Sequence, residues 1–132
     1  EGADFKVPAD GYYKITLDTK ANSLSIVSAD APKYSYEHLM ISGGFNDWAE
    51  DVQMTPVNTV EGIINHIWRF ELDATGGDTT AKFLNDNWSP NWGSSDFPYG
   101  FGVNGGDDIP VLAGQYVVVF NDIDGYYHFF SK

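Results

Sequence analysis

The sequence predicts an all-β protein, an antiparallel β-sandwich of immunoglobulin-like architecture. Apolar and polar residues alternate in several short segments, which is the pattern of strands with one buried face. Gly, Asn and Asp residues separate these segments at fairly regular intervals, and no stretch shows the periodicity of a helix. Many short strands divided by turns are typical of a sandwich. The chain has 132 residues, the usual size of one domain with a single hydrophobic core.

The first predicted element is a β-hairpin over residues 11–27, with its turn at residues 19–22. Both arms of the hairpin alternate, so their apolar side chains are expected to share one face. These side chains are Tyr13, Ile15, Leu17, Leu24 and Ile26.

The same pattern returns at the end of the chain. At a constant offset, Gly11, Tyr13, Ile15, Leu17, Leu24 and Ile26 are matched by Gly114, Tyr116, Val118, Phe120, Tyr127 and Phe129. Residues 109–111 also resemble residues 5–7, with a slip of one position. Two interpretations follow from this repeat. Either residues 1–30 are the final hairpin of a preceding copy of the module at residues 34–132, or one domain uses two similar hairpins.

A turn-rich joint at residues 28–33 fits the boundary between these segments. Beyond it, the sequence predicts strands at residues 37–42, 53–57, 63–72 and 80–85, and loops at residues 43–48, 75–78 and 94–106. Trp68 lies in the alternating pattern of the long third strand. We therefore expect its ring to belong to the core.

The composition argues against several classes of function. A formal net charge of −12 disfavours nucleic acid and anionic membranes as partners, because phosphate groups require clustered Lys and Arg. The chain has no cysteine, hence no disulfide and no thiolate zinc site. No apolar run reaches the roughly 20 residues of a transmembrane segment, and no signal peptide opens the chain. Aromatic residues make up 16% of the chain, which suggests that some rings face solvent for binding.

The segment Lys82–Trp92 has a composition suited to a sugar-binding surface. It combines two indole rings, an ammonium group and several amides, and these polar groups would each need a partner inside a core. A pyranose ring has C–H faces that pack on an indole and hydroxyl groups that bond to amides and ammonium groups. Asparagine is also the usual turn residue. The ligand-binding residues predicted here are Lys82, Trp88, Trp92, Asn87 and Asn91.

Several motifs carry a resemblance to a known family. They are Gly-Gly-Phe-Asn-Asp-Trp at residues 43–48, Met54-Thr55-Pro56, Trp68, Lys82-Phe83, Trp88, Asn91-Trp92-Gly93, Ile109-Pro110-Val111 and Gly114-Gln115-Tyr116. In order and spacing they resemble the modules of SusE and SusF, starch-binding lipoproteins on the outer-membrane surface of Bacteroidetes. The resemblance covers about residues 34–132 and implies a bacterial cell-surface protein of polysaccharide utilisation. Its implied partners are a polysaccharide or oligosaccharide and other outer-membrane glycan-uptake proteins.

A wider similarity extends to starch- and glycogen-binding modules, which carry a Phe-Asn-x-Trp loop and a Lys-Phe strand followed by a second tryptophan. This resemblance implies a platform of Trp48 and a second ring, either Trp88 or Trp92, with Lys82 bonding to sugar hydroxyls. Asn104 lies nearest to the asparagine that often precedes the closing hairpin in such modules. It completes the predicted set of ligand-binding residues.

The sequence does not predict an enzyme, a cofactor or a metal site. A glycosidase needs two carboxylates about 5–10 Å apart across a cleft. Asp86 and Asp96, the acidic residues nearest to the aromatic loops, are better explained as solvated turn residues. No nucleophile motif accompanies the scattered histidines. The acidic turn at residues 121–125 leaves bound calcium open, although it lacks the downstream Glu of an EF-hand.

Two alternatives to an α-glucan-binding module remain open from the sequence. The same scaffold accepts other glycans when its loops change. The domain could instead be an immunoglobulin-like spacer or protein-interaction domain without a sugar site. Burial or separation of Trp48, Trp88 and Trp92 would favour the spacer. Tyr99 and Phe101 either extend the platform or cover one end of the core.

Overall fold

The computed structural model describes residues 3–50, 52–57 and 66–132. The chain divides into two units, Glu1–Lys33 and Tyr34–Lys132. Within the described residues, regular structure consists of β-strands and single-turn 3₁₀ helices, and every strand pair is antiparallel. The predicted antiparallel, immunoglobulin-like β-sandwich is confirmed.

The first unit contains a hairpin of β1 (Tyr12–Asp18) and β2 (Ser23–Ala29). The Asp18 carboxylate accepts hydrogen bonds from two backbone N–H groups of the turn, which stabilises the reversal of the chain. Two apolar side chains of this hairpin, Ile15 and Leu17, are 62% and 66% exposed.

The second unit is built from the remaining strands. In chain order they are β3 (Met40–Ser42), β4 (Thr55–Pro56), β5 (Ile67–Asp73), β6 (Thr79–Leu84), β7 (Asn91–Gly93), β8 (Tyr99–Phe101), β9 (Val103–Asn104), β10 (Ile109–Val111), β11 (Gln115–Asn121) and β12 (Tyr126–Ser131). One sheet has the order β10-β6-β7-β9, with β3 also paired to β6. The other sheet has the order β4-β5-β11-β12-β8.

Several predicted element boundaries change in the structure. The strand expected at residues 37–42 is shorter. Of the strand expected at residues 63–72, residues 63–65 lie outside the described residues, and β5 begins at Ile67. The prediction of one long loop at residues 94–106 was wrong, because β8 and β9 lie within it. These short strands form by pairing with β12 and β7, and local sequence does not encode such tertiary pairing.

Aromatic rings from both sheets form the core between them. Phe83 of β6 stacks on Phe120 of β11, with ring centroids 4.2 Å apart and planes 9° apart. Trp68 is 2% exposed, so its predicted core position is confirmed. Its indole N–H donates to the Asp122 carboxylate at 2.7 Å, and His66 Nδ1 lies 2.6 Å from the other carboxylate oxygen. Burial raises the pKa of Asp122, against the opposing effect of these two hydrogen bonds.

The two hairpins of the chain share several features of their internal geometry. In each, a tyrosine near the start of the first strand donates its hydroxyl to a backbone carbonyl four residues upstream, Tyr13 to Ala9 and Tyr116 to Leu112. Such a tyrosine corner is a hallmark of immunoglobulin-like sandwiches. The strand registers also correspond, because Leu17 lies opposite Leu24 in the first hairpin and Phe120 lies opposite Tyr127 in the last. Each hairpin is preceded by a glycine of positive φ, Gly11 in the first and Gly114 in the last. The apolar face of β11 and β12 is buried in the core.

Candidate functional site

Trp48 and Trp88 lie side by side, although they belong to two different loops and are forty positions apart in the sequence. Their ring centroids are 5.9 Å apart and their planes are inclined by 47°. Both side chains are only partly buried. Trp48 lies in the loop that follows β3, and Trp88 lies in the loop between β6 and β7. The pair therefore presents two adjoining indole rings to solvent.

Both tryptophans occupy left-handed backbone conformations. The φ angles of Trp48 and Trp88 are 61° and 57°, and those of the preceding residues Asp47 and Asn87 are 52° and 54°. A bulky residue with positive φ is a genuine outlier, and such positions cost roughly 1–3 kcal/mol each. Asp and Asn tolerate this region better than other side chains. In both loops, two consecutive residues in the left-handed conformation therefore orient an indole ring.

Hydrogen bonds within the first loop hold Trp48 in this conformation. The Trp48 N–H donates to the Gly43 carbonyl at 3.0 Å. The Asn46 side chain accepts from the Gly43 N–H at 2.9 Å and donates to the Ala49 carbonyl at 3.2 Å. A Cβ atom on Gly43 would lie 1.8 Å from the carbonyl oxygen of Thr80 in β6. Glycine is therefore required where this loop passes the sheet.

The second loop, residues 85–90, is closed by its own backbone. The Asn85 N–H donates to the Pro90 carbonyl at 3.0 Å, and the Trp88 N–H donates to the Asn85 carbonyl at 3.1 Å. From outside the loop, His38 Nε2 lies 2.7 Å from the Asp86 carboxylate. The loop is therefore stabilised by its own backbone hydrogen bonds and by a contact with the segment before β3.

Lys82 and Asn91 extend the tryptophan pair across the outer face of the sheet. Lys82 precedes the buried Phe83 in β6, so its side chain points away from the core. Asn91 Oδ1 accepts a hydrogen bond from Lys82 Nζ at 2.9 Å, and Asn91 Nδ2 donates to the Trp88 carbonyl at 3.0 Å. We name Trp48, Trp88, Lys82 and Asn91 the indole platform. Among the described residues, Lys82 forms no ion pair, so its charge is not neutralised by a carboxylate.

Gly93 gives the Lys82 side chain its path over the sheet. A Cβ atom at this position would lie 2.7 Å from Lys82 Cε and 2.0 Å from the Asp107 carbonyl oxygen. The glycine of the Asn91-Trp92-Gly93 motif is therefore required chiefly by the close approach of the Asp107 backbone, and the Lys82 stem crosses the sheet at the same place.

The prediction that Trp92 binds ligand was wrong, because its ring lies in the core. Trp92 is 9% exposed and packs on Phe120, with ring centroids 5.2 Å apart. Directly opposite residues of an antiparallel pair share one face, and β7 places Trp92 opposite the core residue Phe83. Of the two candidate second rings, only Trp88 lies beside Trp48.

Asn104 contacts the indole platform only through the backbone of Asn91, and its role in ligand binding stays a prediction. Asn104 lies opposite Trp92 in β9, so its side chain points to the face of Trp92 and not to that of Lys82. Its Oδ1 accepts a hydrogen bond from the Asn91 backbone N–H at 3.1 Å. Asn87 is exposed in the same loop as Trp88 and has no side-chain hydrogen bond to another described residue. Its role in ligand binding stays a prediction.

Tyr99 and Phe101 lie on the other sheet and do not extend the indole platform. Both are 59% exposed, and their rings contact His128 and Tyr126 on the outer face of β12.

Sequence reasoning missed the left-handed backbone at both platform tryptophans. The preceding Asp47 and Asn87 were the available signal for it.

Acidic groups near the aromatic loops are engaged locally. The Asp86 carboxylate contacts His38. In the acidic turn after β11, the Asn121 side chain accepts a hydrogen bond from the Ile123 N–H, and the Asp124 side chain accepts one from the Tyr126 N–H at the start of β12. Across residues 3–50, 52–57 and 66–132, no group of three or more His, Cys, Asp or Glu side chains could hold a metal ion. No helix in these ranges is long and apolar enough to cross a membrane.

No known family model matches the sequence, and no curated protein matches it. Among solved structures, SusF from Bacteroides thetaiotaomicron is similar, with a TM-score of 0.58 and 18% sequence identity over 80% of this chain. The chain spans 26% of the length of that SusF chain. At this level of identity the likeness shows a shared fold.

Proposed function

We propose that the chain is a non-catalytic carbohydrate-binding module whose indole platform binds α-glucan, such as starch or a maltooligosaccharide. The observation that carries this proposal is the contact between the partly exposed Trp48 and Trp88, with Lys82 connected to Trp88 through Asn91. The similarity of fold to SusF and the resemblance of the motifs to the SusE and SusF modules support it.

The chemistry of the platform suits a chain of pyranose rings. Each indole face can pack on the C–H face of one sugar. The 47° inclination between the rings matches a chain that curves from one unit to the next, as an α-linked glucan does. Lys82 donates its remaining N–H groups to sugar hydroxyls, while Asn91 holds the lysine and the loop of Trp88 in register.

An open platform of this kind binds weakly. Most of a bound oligosaccharide stays in water, so we expect a binding free energy of about −4 to −6 kcal/mol, or a Kd from roughly 1 mM to tens of µM. The contact between the two rings favours binding, because a platform that is already assembled in the free protein needs less ordering when the sugar arrives.

The charge and the arrangement of the rings favour a sugar over the alternatives. A neutral glycan is indifferent to the net charge of −12, which repels nucleic acid and anionic membranes. A spacer without a ligand gains nothing from two partly exposed tryptophans in strained conformations. Following the resemblance, we propose that the module acts at the surface of the bacterial outer membrane, beside other proteins of glycan uptake.

The proposal is tested by titrating the protein with maltoheptaose, following tryptophan fluorescence and heat of binding. We expect saturable binding that Trp48→Ala and Trp88→Ala each weaken at least about tenfold. Phe101→Ala is the matched control, because it removes an exposed ring from the other sheet and should leave the affinity unchanged. Absence of a response to every α-glucan would refute α-glucan binding, and a glycan array would then show whether another sugar binds.

We also propose that residues 1–30 are the closing hairpin of a preceding copy of the module. The shared tyrosine corner, strand register and positive-φ glycine support this, and so does the exposure of Ile15 and Leu17, whose counterparts in β11 are buried. Tandem copies would raise avidity for a polymer without new contacts.

A hairpin exchange tests this second proposal. In a variant of residues 34–132, residues 114–131 are replaced by residues 11–28, keeping the same length and register. We expect a cooperative but less stable fold, because the incoming side chains are smaller than the aromatic residues that they replace. A control insert with the same residues in reversed order should not fold. If the chimera that carries residues 11–28 does not unfold cooperatively, the two hairpins are not equivalent.

A further inference from the structure

A recess of about 390 Å³ lies next to the loop of residues 85–90 and is not part of the indole platform. Its lining residues are Tyr34, Tyr36, Asn85, Ser89, Pro90 and Asn104. All of them belong to the second unit of the chain. The volume falls within the usual range of small-molecule sites, about 300–1,000 Å³, and at its lower end, so it suits one sugar ring rather than several.

The recess lies on the side of the sheet to which Trp92 points. Asn104 is opposite Trp92 in the strand pair β7–β9, and Tyr36 packs edge-on against the Trp92 ring with centroids 5.6 Å apart. Lys82 and the other platform residues lie on the outer face of the same sheet. The loop of residues 85–90 therefore contributes Trp88 to the platform and other side chains to the recess.

Hydrogen-bonding groups and an aromatic ring converge in the recess. Neither the Asn85 amide nor the Ser89 hydroxyl has a side-chain hydrogen bond to another described residue. Asn104 uses its Oδ1 for the Asn91 N–H, which leaves its amide nitrogen available as a donor. Burial raises the pKa of Tyr36, so its phenol stays protonated and can donate and accept.

The lining also restricts the kind of ligand. None of the six lining residues carries a charge at neutral pH, so the recess offers no counter-ion to a carboxylate, a phosphate or an ammonium group. A neutral ring bearing hydroxyl groups can satisfy the amides and the hydroxyl while it packs against tyrosine.

From this combination we propose that the recess is a second sugar site, which binds one neutral hexopyranose unit independently of the indole platform. The inference rests on the proposed function for its class of ligand. Together with the indole platform, the recess would give the module two binding points on one domain. The loop of residues 85–90 would contribute side chains to both.

Nuclear magnetic resonance of the whole chain, titrated with maltose, tests the inference. In the wild-type protein we expect two groups of resonances to shift, the indole N–H signals of Trp48 and Trp88 and the side-chain amide signals of Asn85 and Asn104. The double variant Tyr36→Phe, Asn85→Ala keeps the ring that packs on Trp92 and removes two hydrogen-bonding groups. This variant should raise the Kd for maltose obtained from the Asn104 signal at least about tenfold. The Kd obtained from the indole signals should stay within about twofold of the wild-type value.

The complementary variant is Trp48→Ala, which alters the platform from a loop that does not line the recess. It should suppress the shift of the Trp88 indole and preserve the shifts of Asn85 and Asn104. If the amide signals do not respond to maltose while the indoles do, the recess is not a sugar site and the platform proposal stands. If the indoles fail to respond while the amides shift, the platform proposal fails alone. If Trp48→Ala removes both responses, the sites are not independent and the inference is wrong.

Discussion

Asn91 connects the charged and the aromatic parts of the indole platform, and its replacement by alanine should uncouple them. Its amide oxygen accepts from Lys82 Nζ, and its amide nitrogen donates to the Trp88 carbonyl. Asn91→Ala removes both bonds at once. Lys82→Met removes only the ammonium group and keeps the apolar stem that lies over Gly93.

The expected cost follows from the two hydrogen bonds. The neutral bond to the Trp88 carbonyl contributes about 1 kcal/mol, and the bond from the Lys82 ammonium group about 1.5 kcal/mol, near the low end for a charged donor because the site is partly exposed. Asn91→Ala should therefore lower the free energy of unfolding by about 2–3 kcal/mol. Lys82→Met should lower it by about 1–2 kcal/mol, since it leaves the Asn91 oxygen without its donor. The double variant should cost less than the sum, with a coupling energy of about 1 kcal/mol.

Urea denaturation of the wild type, both single variants and the double variant measures this cycle at one pH. Asn87→Gly is the matched control in the same loop, because it removes an exposed amide and retains a residue that tolerates positive φ. Its effect should stay within about 0.5 kcal/mol. A coupling energy below about 0.3 kcal/mol would contradict the geometry, because it would mean that Lys82 and Asn91 contribute to stability independently.

Three further predictions concern stability. Gly43→Ala should destabilise by about 3 kcal/mol or more because its Cβ would meet the β6 backbone, whereas Gly76→Ala, with nothing within 4 Å, should change stability by less than about 0.5 kcal/mol in the same urea assay. Tyr116→Phe should cost about 1 kcal/mol by removing the hydrogen bond of the tyrosine corner, and an unchanged urea midpoint would contradict this. Burial raises the pKa of Asp122 in the folded state above its value in the unfolded state, so the folded protein holds this proton more tightly. The resulting stabilisation is fully present below the unfolded-state pKa and is lost as the pH rises through the folded-state pKa. The free energy of unfolding of the wild type relative to Asp122→Asn should therefore fall from acidic to neutral pH, and a rise would refute the assigned direction.

The sheets and the core could be predicted because strand alternation is a local property of the sequence. The apolar positions of β11 and β12 are spaced by two, and the structure buries that face, including Phe120 and Tyr127. The shortest strands could not be predicted in this way. β8 and β9 have only a few residues each, and they are strands because neighbouring backbones offer them hydrogen bonds.

The choice between Trp88 and Trp92 could not be made from local sequence. Each follows an asparagine, so the dipeptides Asn87-Trp88 and Asn91-Trp92 are identical. Pairing with β6 decides the difference, because it sets Trp92 opposite the core residue Phe83 and leaves Trp88 in the preceding turn. The same argument explains Asn104, whose strand register turns it away from Lys82.

The placement of the four tryptophans has a practical consequence for spectroscopy. Trp68 and Trp92 are enclosed by the core, while Trp48 and Trp88 are partly in contact with water. The enclosed pair should emit at shorter wavelength and move to the red only when the sandwich melts, whereas the outer pair should change when a solute covers it. Without any added dye, one emission spectrum should therefore separate loss of structure from occupancy of the surface.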